Sequence, residues 1–158
     1  PDRDHSAFIR DRVAPEELRP GVFVDDRGLV LGSHDGVDRF TIGQRRGLGI
    51  SGGDRRYVTS IDATSGEVRV GSRDDLFSRG LEAGPVSWLC PPPEDGRRVT
   101  VRIRHRHRGS PATVSDDGRG GAIVEFHEAV RAVAPGQAAV FYDGDEVLGG
   151  GWIEGPTA

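Results

Sequence analysis

Apolar and polar residues alternate through most of this chain, and a period of two is the period of a β-strand. Turns rich in glycine and aspartate separate these stretches, which predicts short antiparallel strands. The start of the chain differs. Asp4 can cap a helix there, with Phe8 and Val13 on its apolar side. Because Pro15 ends this pattern, we predict one short N-terminal helix over residues 1–14.

Two β-hairpins are predicted in the first half of the chain. The first joins Val22–Val24 to Leu29–Leu31 through a turn of aspartate, arginine and glycine. The second joins Tyr57–Asp62 to Glu67–Val70. Between the hairpins, Val37–Ile42 is predicted to be a strand that leads into a glycine-rich loop. This half is therefore expected to form a small, mostly β domain.

A six-stranded antiparallel β-barrel is predicted for the second half, because short strands recur there with regular turns and no long helix. The predicted strands are Leu81–Leu89, Val99–Arg106, Ala112–Ser115, Ala122–Phe126, Ala138–Tyr142, Glu146–Leu148 and a short Trp152–Ile153. The polar segment Arg73–Gly80 is expected to be a helical turn or linker. The predicted domains are thus 1–78 and 79–158, and the fold class is mainly β.

Charge is distributed unevenly along the chain. The net charge is −4, yet Arg97–Arg108 contains six arginines, two histidines and no acid. A basic stripe on an acidic protein is typical of a surface that binds a polyanion in one place. No apolar run approaches the ~20 residues of a membrane helix, so no membrane association is expected.

Strand alternation would sort this stripe into two faces. One face would carry Val101, Ile103, His105 and His107, and the other Arg102, Arg104, Arg106 and Arg108. Aligned arginines suit the phosphates of a nucleic acid, although a solvated face balanced by neighbouring acids is the alternative. His105 and His107 also have the spacing of two metal ligands on one strand face, but a site needs at least a third ligand. A metal-dependent hydrolase is therefore an alternative function, and no metal is predicted.

The stretch Phe40–Ile50 reads FTIGQRRGLGI and places two arginines in a glycine-punctuated loop. Arg45 and Arg46 lie between Gly43 and Gly47, where the backbone can approach a ligand closely. Free backbone N–H groups beside guanidinium groups suit a phosphate. The alternative interpretation is a basic surface turn.

Two other motifs are interpreted as structural. Ser51–Asp54 reads SGGD like the start of a pyrophosphate-binding loop, but a strand follows it instead of the helix that such a loop opens, so a turn is predicted. Cys90 has no basic residue close in sequence to lower the pKa of its thiol, and it is expected to be a half-buried apolar residue. A single cysteine also agrees with a reducing, cytoplasmic setting.

Three passages, in this order and spacing, carry a family resemblance. They are Thr41–Ile50 (TIGQRRGLGI), Val101–Arg106 (VRIRHR) and Ala134–Ile153 (APGQAAVFYDGDEVLGGGWI). Together they resemble the C-terminal half of the bacterial tRNA-uridine 2-sulfurtransferases, which thiolate the wobble uridine of certain tRNAs. The resemblance implies a central domain in the first half and a tRNA-binding barrel in the second.

The resemblance also implies roles for individual residues. RNA contacts are expected from Arg104, His105, Arg106 and Gln137, together with Arg102 of the same predicted arginine face. The loop residues Gln44, Arg45 and Arg46 are expected to border the active site.

The family's catalytic groups are not expected in this chain. In the family, an N-terminal domain binds ATP with magnesium, and two cysteines deliver persulfide sulfur, supplied by a sulfur-carrier protein or a cysteine desulfurase. The chain begins at Pro1 and contains no methionine, so we expect it to be a fragment. Without the family's catalytic domain, we expect it to be inert alone and to bind no cofactor itself. We also expect it to be monomeric. The alternative is a translation-factor-like barrel that binds RNA or protein and has no modifying activity.

Overall fold

The computed structural model describes residues 20–51, 55–93, 96–105 and 107–157, so the helix predicted over 1–14 lies outside the described residues. The chain divides into two compact units, Pro1–Leu76 and Phe77–Ala158. Among the described residues, no helix has the length and apolar character needed to span a membrane.

The first unit contains a four-stranded mixed sheet. Its strands are β1 (Gly21–Val24), β2 (Val30–His34), β3 (Tyr57–Asp62) and β4 (Glu67–Gly71). The order is β2-β1-β4-β3, with β1 and β4 parallel and the two outer pairs antiparallel. Both predicted hairpins are confirmed. Asp25 and Asp62 hold the two turns by accepting backbone N–H hydrogen bonds.

The strand predicted over Val37–Ile42 is wrong. Val37–Arg39 form one 3₁₀ turn, closed by the Phe40 N–H donating to the Val37 carbonyl at 3.0 Å. The apolar residues of this segment serve as anchors: the Phe40 ring lies edge-on to Phe23, with centroids 5.0 Å apart, on the buried core of the sheet. Packing of single side chains thus explains the apolar pattern without strand pairing.

The second unit is a closed six-stranded antiparallel barrel, which confirms the predicted fold class. Its strands are β5 (Phe77–Trp88), β6 (Arg97–Arg102), β7 (Ser110–Asp116), β8 (Ala122–Arg131), β9 (Ala138–Asp143) and β10 (Glu146–Thr157). They close in the order β10-β5-β8-β7-β6-β9. Inward-facing side chains, including Leu81, Val101, Val124 and Phe141, fill the interior. Cys90 is half-buried and packs against this core, as predicted.

Strand β10 is continuous where two short strands were predicted. The glycines between them do not interrupt the strand. A Cβ on Gly149 would lie 2.7 Å from the Ser87 carbonyl oxygen of the neighbouring strand β5. Glycine is needed there because the two strands approach closely.

Candidate nucleic-acid interface

Strand β6 ends at Arg102, so the prediction of a strand continuing to Arg106 is wrong. Its pairing with β7 stops at Val101, which lies opposite Ser110. The chain then turns, and the His107 N–H donates to the Arg104 carbonyl at 3.0 Å. Four arginines therefore do not align on one strand face. Arg104 lies in the turn and Arg106 is outside the described residues.

His107 holds this turn together from the inside. Its Nδ1 accepts a hydrogen bond from the Ile103 N–H at 3.4 Å, and its Nε2 lies 3.2 Å from the Ser110 Oγ. Because Nδ1 accepts, the proton of the neutral ring is on Nε2, which donates to the hydroxyl. Burial lowers the pKa of His107, and the charges of Arg104 and Arg102 lower it further. His107 is therefore a neutral structural residue.

Arg104 is fixed by a backbone carbonyl. Its Nη1 donates to the Arg131 carbonyl, 3.3 Å away, at the end of β8. The next residue, Ala132, has φ +57, a left-handed conformation that is uncommon for a residue with a side chain. The strained backbone of Ala132 therefore directly follows the Arg131 carbonyl that accepts the hydrogen bond from Arg104.

Arg102 lies on an aromatic ring on the outer surface of the barrel. Its guanidinium carbon is 4.9 Å from the centroid of the Tyr142 ring. The strand register brings these side chains together, because Arg102 pairs with Val140 of β9 and Thr100 pairs with Tyr142. The contact is a cation–π interaction at an exposed site.

These side chains surround one groove of about 470 Å³ at the end of the barrel. Its lining consists of Arg102, Ile103, Arg104, His105, Gln137, Ala138, Val140 and Tyr142. The β6–β7 turn supplies one wall, and the turn before β9 together with β9 supplies the other. Two arginines and a histidine line the groove, and none of the described residues that line it is acidic, which suits an anion. Four of the five residues predicted to contact RNA are thus brought together.

The backbone at Gln137 is held by Ile153 of strand β10. The Gln137 carbonyl accepts from the Ile153 N–H at 2.7 Å, and the Gly136 N–H donates to the Ile153 carbonyl at 2.8 Å. The side-chain oxygen of Gln137 is covered from solvent and accepts no hydrogen bond from the described residues.

In the first unit, the loop Phe40–Ile50 is organised by the side chain of Gln44. Gln44 Oε1 accepts from the Thr41 N–H at 3.0 Å, and Nε2 donates to the Arg46 carbonyl at 3.0 Å. Both ends of this carboxamide are used inside the loop. Gln44 therefore shapes the loop, and Arg45 and Arg46 are the exposed members of the predicted set.

A second basic pocket, of about 310 Å³, lies against this loop. Arg45, Arg55 and Arg56 line it, together with the loop residues 47–50. Within the described part of the chain, none of these three arginines forms a salt bridge. Arg55 and Arg56 were not predicted as site residues, although two adjacent arginines immediately before a predicted strand were the available signal.

The described residues contain no group of three or more histidine, cysteine, aspartate or glutamate side chains that could hold a metal ion. Both ring nitrogens of His107 are also engaged in hydrogen bonds. One of the two histidines of the predicted metal-ligand spacing therefore uses both of its ring nitrogens within the protein.

Comparisons with known proteins match both units. The family model described as an aminomethyltransferase β-barrel domain matches residues 78–153, and the one described as a tRNA methyl transferase PRC-barrel domain matches residues 6–72. The tRNA-specific 2-thiouridylase MnmA of Geotalea uraniireducens is 47% identical over 98% of the chain. The proteins of the same name from Geobacter metallireducens and Carboxydothermus hydrogenoformans are each 44% identical over 98% of the chain. The chain belongs to the tRNA-specific 2-thiouridylase family.

The family resemblance drawn from the three sequence passages is thus confirmed. The chain spans 41% of the length of the Geotalea 2-thiouridylase and 42% of the other two relatives. The groove lies in the matched barrel domain, and the loop with its basic pocket lies in the other matched domain.

Proposed function

We propose that the barrel of this chain binds tRNA, and that the chain serves a 2-thiouridylase as its RNA-recognition part. The observation that carries the proposal is the groove lined by Arg102, Arg104, His105 and Gln137. Arginine binds phosphate through a planar fork of donors, and the part of the lining that the structure describes has no acid, which leaves these charges available to a polyanion. The names of the relatives supply the class of RNA.

In the whole enzyme, we propose that sulfur is transferred to a uridine of the bound tRNA. ATP with magnesium would activate the uridine, and a sulfur-carrier protein or cysteine desulfurase would supply the persulfide. Cys90 is the chain's single cysteine and packs against the barrel core. This chain alone is therefore expected to bind RNA without modifying it, and we propose that it acts as a monomer in the cytoplasm.

The test measures the affinity of the full chain for a tRNA transcript at several salt concentrations, for the wild type, Arg104→Ala and Arg119→Ala. Each phosphate contact contributes about 0.7 to 0.9 to the slope of log affinity against log salt. Arg104→Ala is expected to weaken binding and to reduce the slope by about that amount.

Arg119→Ala is the matched control. Arg119 is also an exposed arginine of the barrel, but it lies in the β7–β8 turn, at the opposite end from the β6–β7 turn. It neighbours acidic side chains, including Glu82 and Asp117. Its removal should leave affinity and slope unchanged. If both variants reduced the slope equally, binding would be diffuse and the groove would not be the RNA site.

A further inference from the structure

We infer that the groove holds one unpaired nucleotide of the RNA, with its base stacked on the Arg102 guanidinium that Tyr142 supports. This inference rests on the proposed function and specifies the structural element of RNA that the barrel recognises. It adds Tyr142 to the binding surface as a positioning residue.

The Arg102–Tyr142 pair is suited to stacking. The guanidinium carbon lies 4.9 Å from the centroid of the aromatic ring, and Arg102 is exposed and lines the groove, so part of its guanidinium is accessible to a ligand. Arginine planes and aromatic rings are the surfaces on which proteins stack unpaired RNA bases. The ring restricts the guanidinium, which lowers the entropy lost when a base stacks on it.

The apolar floor of the groove favours a base over a bare phosphate. Ala138 and Val140 supply the apolar surface of this floor, whereas Ile103, also in the lining, is 0% exposed and belongs to the barrel core. A volume of about 470 Å³ is within the range of sites that hold one small ligand, about 300–1,000 Å³. An RNA duplex presents phosphates and 2′-hydroxyls outward and keeps its bases stacked inside, so it would leave this floor unused.

The polar groups of the groove complement a nucleotide. Arg104 and His105 supply donors for its phosphate. The Gln137 side-chain oxygen accepts no hydrogen bond from the described residues and is covered from solvent, a costly state for an acceptor. Rotation of this amide toward the groove would let the oxygen accept an N–H of the bound base. The groove therefore offers a phosphate site and a stacking surface, and the rotated Gln137 amide would add an acceptor.

The experiment compares two RNA probes, a tRNA transcript and a blunt, fully paired RNA duplex without unpaired nucleotides. The decisive variant is Arg102→Lys, because it keeps the charge and removes the planar stacking group. We expect its affinity for the tRNA to fall about tenfold, the usual scale of one stacked base, with an unchanged salt slope and unchanged duplex binding.

Tyr142 provides the matched pair of variants. Tyr142→Phe keeps the ring and should bind tRNA like the wild type, whereas Tyr142→Leu removes the ring and should weaken tRNA binding as Arg102→Lys does. Arg102 is exposed, so its variant tests the inference even if Tyr142→Leu fails to fold.

Three results would overturn the inference in different ways. If Arg102→Lys bound tRNA like the wild type while Arg104→Ala weakened it, the groove would bind phosphate only, and the proposed function would stand. If Arg102→Lys weakened both RNAs equally, the site would not distinguish unpaired nucleotides. If the wild-type chain bound no tRNA at all, both the inference and the proposed function would fail.

Discussion

Replacing Phe141 by alanine should destabilise the barrel strongly, because this side chain lies at the centre of its core. Phe141 is 0% exposed and its ring centroid is 5.4 Å from that of Trp88. Burial of the side chain contributes about 1.5–3 kcal/mol, and the aromatic contact about 0.5–1.5 kcal/mol. The cavity left behind adds a further cost, which brings the expected loss to about 3–5 kcal/mol.

The assay is urea unfolding followed by tryptophan fluorescence, since Trp88 contacts the deleted ring. The midpoint should fall markedly while the dependence on urea stays the same. Ile123→Ala is the control: Ile123 is a barrel residue that is 43% exposed, and its loss should cost less than about 1 kcal/mol. If Phe141→Ala cost no more than the control, the barrel core would not be packed around this ring, and the position of the adjacent Tyr142 in the groove would lose its support.

Two further predictions concern pH and strand packing. Burial lowers the pKa of His107 and of His34, so between the folded-state and unfolded-state pKa values the folded chain keeps both rings neutral while the unfolded chain binds protons. This contribution to stability should be complete above about pH 6.5 and be lost as the pH falls through the folded-state pKa values. Urea midpoints that rise as the pH is lowered from about 7.5 to about 5.5 would contradict this. Gly149→Ala should cost about 1–3 kcal/mol in thermal unfolding, because the new Cβ would lie 2.7 Å from the Ser87 carbonyl oxygen; an unchanged melting temperature would show that the two strands can separate there without cost.

The sequence predicted the strands well where each one is decided by local pattern. Turn residues such as Asp25 and Asp62 accept hydrogen bonds from nearby backbone, so the hairpins they close could be recognised from sequence alone. The prediction failed where partners distant in sequence decide the structure. Phe40 looked like part of a strand because it is apolar, but its ring packs on Phe23 from a 3₁₀ turn. Local alternation cannot show whether an apolar residue joins a sheet through backbone hydrogen bonds or only packs its side chain on the core.

The arginine stripe shows how a correct residue set can come with the wrong geometry. Alternation placed Arg102 and Arg104 on one straight face, but His107 turns the chain after Arg102, and each arginine finds its own partner. Arg102 lies on Tyr142, and Arg104 donates to the carbonyl of Arg131. A straight row of charges would match the regularly spaced phosphates of one nucleic-acid strand. A groove with two separated arginines and an apolar floor matches a nucleotide that has left the helix, and only closure of the barrel brings those surfaces together.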